Sequence, residues 1–128
     1  MRRRFGKVIN ELAKKDDKIV LIVGDIGYGI FDDFRKENPS KFFNLGICEQ
    51  SMISFASGMA LEGLKPWVYT ITPFLIERPF EQIKLDIDQQ NVNVNIIIII
   101  GVLKLGQIGK KNVQYVDIVY LTIILTKI

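Results

Sequence analysis

The residues best suited to chemistry lie in the stretch Phe43-Asn44-Leu45-Gly46-Ile47-Cys48-Glu49-Gln50. A strand-like segment ends there, a glycine permits a sharp turn, and a carboxylate falls in the first turn of an otherwise apolar helix. A carboxylate so placed can hold a proton or exchange one with a ligand. It can equally serve as a partner for the helix dipole or as a capping group, and the residues alone leave both roles open. The chain contains no histidine, so the commonest general base and a common metal ligand are missing. Its single cysteine, Cys48, excludes an internal disulfide and suits a reducing compartment.

The elements that must position Glu49 follow from the hydrophobic pattern. Arg2 to Lys15 has apolar residues at helical spacing (Phe5, Val8, Ile9, Leu12) and ends in Lys14-Lys15, as a helix C-terminus should. Lys18 to Val23 is a short continuous apolar run closed by Gly24, which predicts a strand buried on both faces. Gly24-Asp25-Ile26-Gly27-Tyr28-Gly29 follows at its C-terminal end, where open α/β sheets build ligand sites. A short helix is expected over Phe31 to Lys36 and a second strand over Lys41 to Leu45. The helix carrying Glu49 is expected from Cys48 to Leu61, with Met52, Phe55, Ala56, Met59 and Ala60 on one face and Gly63 closing it.

Lys65 to Ile71 is the third predicted strand. Phe74 to Gln89 is predicted as a helix that Pro79 must either start or kink. Val92 to Ile100 is the fourth strand, Gly101 to Gly109 a glycine-bearing loop, and Asp117 to Ile124 a final helix. Alternation of buried strands with helices implies an α/β fold with a parallel or largely parallel sheet and helices on both faces.

Composition sets the outer bounds. The chain has 128 residues, 48% of them hydrophobic and 24% charged, which is one domain's worth of ordered globular protein. Lys and Arg exceed Asp and Glu by 17 to 14, and much of that mild excess is Arg2-Arg3-Arg4. With no aromatic interleaving and no second basic cluster, the triplet reads as a solvated helical turn, and no nucleic-acid partner is expected. The longest apolar run, Ile96 to Ile100 extended by Val102 and Leu103, is far short of the roughly 20 residues that a membrane span needs. No signal-peptide pattern is present at the N-terminus, and a cytoplasmic location is expected.

Asn44-Leu45-Gly46-Ile47-Cys48-Glu49-Gln50-Ser51-Met52, continued by Ala56-Ser57-Gly58-Met59-Ala60 and Gly63-Leu64-Lys65-Pro66, resembles the signature of transketolase-like pyrimidine-binding domains of thiamine diphosphate enzymes. Phe5 to Leu12 and Ile19 to Gly27 resemble the opening helix and first strand of that family, with Asp25 at its usual strand-end aspartate. Tyr69 through Phe74, Arg78, Phe80 and Glu81-Gln82-Ile83 resemble its aromatic-containing segment. The resemblance implies that Glu49 is the catalytic residue, set against N1′ of the cofactor's aminopyrimidine, with Phe74 stacking on that ring and Tyr69 or Phe80 nearby. Any of these rings could instead be core packing. Arg78 would line the substrate or phosphate side, or be an ordinary surface arginine, and Asp25 joins it as a candidate substrate contact.

The same resemblance implies thiamine diphosphate as cofactor and two-carbon ketol transfer between sugar phosphates as the parent reaction. The chain has no Gly-Asp-Gly motif with a following asparagine ligand, so it is expected to hold no metal itself. Mg²⁺ and the diphosphate would be held by a diphosphate-binding partner chain in a homo- or hetero-oligomer, as in split enzymes of the family. By itself the chain is not expected to be an enzyme. Two features depart from the family pattern. Lys111, Asn112 and Val113 stand where polar and histidine residues are usual, and the chain stops at Ile128, before the last strands of such a domain. The expectation is therefore one pyrimidine-binding domain over 1–128, incomplete at its C-terminus. The alternatives are a non-catalytic remnant or interaction module, or a fragment like 1-deoxyxylulose-5-phosphate synthase.

Overall fold

The computed structural model of the protein describes residues 2–99. The loop expected over Gly101 to Gly109 and the helix expected over Asp117 to Ile124 lie outside them. In chain order the elements are α1 (Arg2–Lys15), β1 (Ile19–Val23), α2 (Asp32–Glu37), β2 (Phe42–Asn44), α3 (Glu49–Leu61), β3 (Lys65–Ile71), α4 (Phe80–Gln82) and β4 (Asn95–Ile99). A short 3-10 turn, Pro39–Lys41, leads into β2, and wide helical turns, Pro73–Glu77 and Ile83–Asp88, flank α4.

The strands form one parallel four-stranded sheet in the order β2-β1-β3-β4. Side chains alternate between its faces, as strand geometry requires. Ile19, Leu21, Val23 and Tyr69 face Ile9 and Ala13 of α1 and Phe34 of α2. Ile22, Val68 and Ile96 face Met52, Ile53 and Ala56 of α3, together with Leu75 and Ile87. All five residues of β1 are buried, which is why that strand shows as an unbroken apolar run in the sequence. Helices thus cover both faces, and the expected α/β architecture is present.

The inward face of α1 differs from the one its apolar spacing predicts. Gly6, Ile9, Asn10 and Ala13 are buried, whereas Val8 is 45% and Leu12 36% exposed. Close approach decides the matter, because a Cβ on Gly6 would sit 2.3 Å from the Ile30 carbonyl oxygen. Asn10 is tolerated inside because its amide donates to Glu37 Oε2 at 3.1 Å and its oxygen accepts from Asn38 at 3.0 Å.

The single helix expected over Phe74 to Gln89 is replaced by the two wide turns with α4 between them. Pro79 has no N–H and its ring crowds the carbonyl of the preceding turn, so a regular helix cannot run through it. The backbone responds with bonds spanning five residues, Arg78 N–H to Pro73 O at 3.3 Å and Gln89 N–H to Lys84 O at 3.0 Å. At the end of α3 the expectation holds: Gly63 takes φ 82° while its N–H and that of Leu64 donate back to Ala60 and Met59 at 3.0 Å. Among the described residues no helix is long and apolar enough to cross a membrane.

Candidate functional site

In a parallel sheet of this order, the connections leaving β1 and β3 run in opposite directions, which opens a crevice at their C-terminal ends. Chain segments that carry polar groups converge there. Gly24 and Asp25 follow β1, Asn44 ends β2, Glu49 starts α3, and Thr72 to Arg78 follow β3.

Local geometry explains why Glu49 sits where it does. Gly46 has φ 75°, a conformation that glycine adopts without strain, and it turns the chain from β2 into α3. Gly24 lets α3 approach the end of β1, since a Cβ there would lie 2.9 Å from Met52 Sδ. Glu49 is left 3% exposed, with Met52 fully buried one turn later. A carboxylate that deep needs partners for its oxygens. Arg78 supplies one, with Nη1 donating to Oε2 at 3.2 Å. Oε1 has no hydrogen-bond partner among the described residues.

The same guanidinium covers a ring. Arg78 Cζ lies 3.6 Å from the centroid of the half-buried Phe74 ring. Glu49, Arg78 and Phe74 therefore form one contiguous group. Residue types alone did not reveal the pairing of Arg78 with Glu49, which lie 29 positions apart on different elements. Gln82, one turn after Arg78, adds a second buried oxygen without a partner among the described residues. The Glu81-Gln82-Ile83 motif contains it, but its burial is not visible in the residue types.

Asp25 stands at the rim. Its backbone is left-handed, with φ 53°, a conformation that aspartate tolerates better than most residues. Asn44 holds this turn, accepting from Asp25 N–H at 2.9 Å and Gly46 N–H at 3.1 Å while its own amide donates to Asp25 Oδ1 at 3.3 Å. The Tyr28 hydroxyl donates to the same carboxylate oxygen at 2.5 Å. These hydrogen bonds, from Tyr28 and then Asn44, hold the Asp25 carboxyl below the usual aspartate range. A cleft of about 190 Å³ opens beside this turn, lined by Tyr28, Asp32, Arg35 and Asn44 among others, but by neither Glu49 nor Phe74.

Of the two further rings expected near Glu49, the structure turns Tyr69 away and leaves Phe80 exposed. Tyr69 points to the opposite face of the sheet, stacked on Phe5 at 5.6 Å and edge-on to Phe31 at 4.6 Å. Its side chain is determined by strand alternation: Val68 and Tyr69 are neighbours in β3 and must face opposite ways. Phe80 is 64% exposed and makes no ring contact among the described residues. Phe55, expected on the buried face of α3, is 37% exposed and packs edge-on against Phe43 at 5.5 Å.

The donor set fits the planar heterocycle that the sequence resemblance implies. A buried carboxylate oxygen lacking a donor suits a ring nitrogen that carries a proton, and an aromatic face beside it suits a flat ring. In this structure the guanidinium of Arg78 lies over that face.

Comparison with known proteins agrees with the geometry. Residues 1–124 match the family described as "Transketolase, pyrimidine binding domain". The chain is 42% identical over 93 residues to the 1-deoxy-D-xylulose-5-phosphate synthase of Clostridium perfringens, a match covering 72% of this chain and 15% of the synthase. It is 38% identical over 93 residues to an uncharacterized 33.6 kDa protein in the fasciation locus of Rhodococcoides fascians, covering 73% of this chain and 30% of that protein. Among solved structures it resembles a chain described as "Split gene transketolase, inactive beta4 tetramer", with a TM-score of 0.68 and 35% identity over 73% of this chain and 32% of that one. The matched region spans a third or less of each of these relatives. The parallel α/β sheet, the Gly46 turn into Glu49 and the match along nearly the whole sequence lead to one conclusion: this chain belongs to the transketolase pyrimidine-binding domain family.

Proposed function

We propose that the chain is the pyrimidine-binding part of a transketolase-like thiamine diphosphate enzyme that transfers two-carbon ketol units between sugar phosphates. The observation that carries this reading is Glu49, 3% exposed, with Oε1 lacking a hydrogen-bond partner among the described residues at the C-terminal edge of a parallel sheet. Such a buried acceptor is costly unless a ligand completes it.

When bound, thiamine diphosphate would supply the electron sink that lets a carbon–carbon bond beside a carbonyl break and re-form. Glu49 holds or accepts a proton at the aminopyrimidine N1′ through Oε1. Phe74 fixes the plane of that ring by stacking, and Met52 keeps water from the carboxylate. Asp25, with Asn44 and Tyr28, forms the rim on the substrate side. A second chain holds the diphosphate and Mg²⁺, as the split arrangement of the solved relative favours, and Cys48 as a free thiol suits a cytoplasmic setting.

The test is to purify the chain with a co-expressed partner carrying the Gly-Asp-Gly diphosphate motif. Thermal stability with thiamine diphosphate and Mg²⁺, and turnover, are then measured for wild type and Glu49→Gln. The reading expects ligand stabilisation in the wild type and a loss of turnover of about 10²- to 10⁴-fold in the variant, with the fold retained. No stabilisation and no effect of the substitution would leave a non-catalytic remnant in its place. A second reading, 1-deoxy-D-xylulose-5-phosphate synthase, is favoured by the likeness to the Clostridium perfringens enzyme. Product analysis separates the two.

A further inference from the structure

The position of Arg78 goes beyond this reading and rests on it. Two contacts define the guanidinium. One N–H reaches the buried Glu49 carboxylate at 3.2 Å, and Cζ lies over the Phe74 ring, 3.6 Å from its centroid. A guanidinium is planar, carries N–H donors along its edge and stacks on aromatic faces. An aminopyrimidine is also planar, presents a ring N–H to a carboxylate when its ring nitrogen takes a proton, and stacks on the same kind of face. Both species thus compete for one carboxylate and one ring.

We propose that Arg78 is a displaceable placeholder: it occupies the face of Phe74 and satisfies half of Glu49 until an aminopyrimidine takes over both contacts. Three features make displacement feasible. The Arg78 side chain is 46% exposed, so it can return to water with little desolvation to reverse. It grips Glu49 through one oxygen only, so that Oε1, buried and without a partner among the described residues, is left to accept from the ring once the guanidinium has moved aside. Its backbone lies at the end of the wide turn Pro73–Glu77, immediately before Pro79, where regular helical bonding is already interrupted. The role differs from that of a substrate-phosphate contact, which would stay in place and strengthen binding.

A placeholder weakens ligand binding by the stability of the contacts it must give up. An exposed cation–π contact and a half-exposed ion pair together correspond to roughly a tenfold change in affinity. Ligand binding should also lose part of this penalty as salt rises, since screening loosens the ion pair in the free chain.

The probe is 4-amino-2,5-dimethylpyrimidine, which lacks the diphosphate and so needs no partner chain. Its binding to the full chain is followed by NMR for wild type, Arg78→Met and Glu49→Gln. In the free wild type the Arg78 side-chain protons should be shifted upfield by the Phe74 ring, and saturation with the probe should abolish that shift. Arg78→Met should bind the probe about tenfold more tightly than wild type, and Glu49→Gln more weakly. If Arg78→Met binds equally or less tightly while Glu49→Gln still weakens binding, the placeholder is wrong and the site reading stands. An upfield shift that survives saturation overturns it in the same way, and needs no variant to fold. If no protein binds the probe, both readings fall.

Discussion

Of the three buried oxygens without partners among the described residues, Tyr69 Oη and Glu49 Oε1 lie on opposite sides of the sheet, and their surroundings could hardly differ more. Tyr69 is 1% exposed and enclosed by Phe5 and Phe31, rings that leave it no freedom. Burial pushes its hydroxyl up from the ordinary tyrosine value, so the group stays neutral to higher pH. Glu49 stands at the open end of the sheet, beside a half-exposed arginine. The contrast teaches that an unsatisfied polar atom points to a ligand when its neighbour is a half-exposed side chain that can be replaced. Inside a closed aromatic cluster it is tolerated as the price of packing.

The largest expected difference between the sides is in stability. Tyr69→Ala should lower unfolding free energy by about 3–5 kcal/mol, as removal of a fully buried ring does, whereas Phe74→Ala, at a half-buried position, should cost about 1 kcal/mol. Denaturant unfolding of both variants checks this. Equal losses would mean that the Phe74 ring is core and not part of an open site.

The next effect sharpens the rim. Because the hydrogen bonds from Tyr28 and Asn44 depress the Asp25 carboxyl, the unfolded chain takes up a proton there before the folded chain does. The resulting stabilisation is present above the ordinary aspartate value of about 4 and is lost as pH falls through the lower folded value. Asp25→Asn should therefore flatten part of the decline in melting temperature between about pH 4 and 2. Lys65 depresses Asp16 and Lys14 depresses Glu37, and these groups supply the slope that remains. An unchanged slope in Asp25→Asn would remove the rim's charge from the account.

The smallest effect belongs to the closed side. Tyr69→Phe deletes a hydroxyl that lacks a partner among the described residues, so stability should stay within about 1 kcal/mol of wild type or rise. A clear loss in thermal unfolding would show that the hydroxyl is satisfied after all.

Much of this architecture could be read directly from residue order. β1 was legible because a strand buried on both faces carries an unbroken apolar run, and α3 because Gly46 and Gly63 bracket it. The wide turns around Pro79 were not, since the pattern Phe74 to Gln89 has helical spacing and proline's effect on its neighbours depends on how the chain is braced. β4 begins at Asn95 and not at Val92, because pairing with Trp67 of β3 determines where the ladder starts.

Within the site, sequence alone located Glu49 and Asp25 on their elements, because a turn glycine and a strand end are local signals, whereas Phe74 falls in a wide turn and not in the helix expected for it. It also determined that Val68 and Tyr69 face opposite ways once β3 was recognised, although it could not say which face carried the site. Tertiary structure alone decided that α3 covers the Val68 face, that Asn44 ties β2 to the turn after β1, and that Arg78 lies between Glu49 and Phe74. The physical reason is range. Turns and alternation depend on neighbours in the chain, whereas a buried carboxylate is satisfied by whichever distant donor the packed sheet and helices bring within reach.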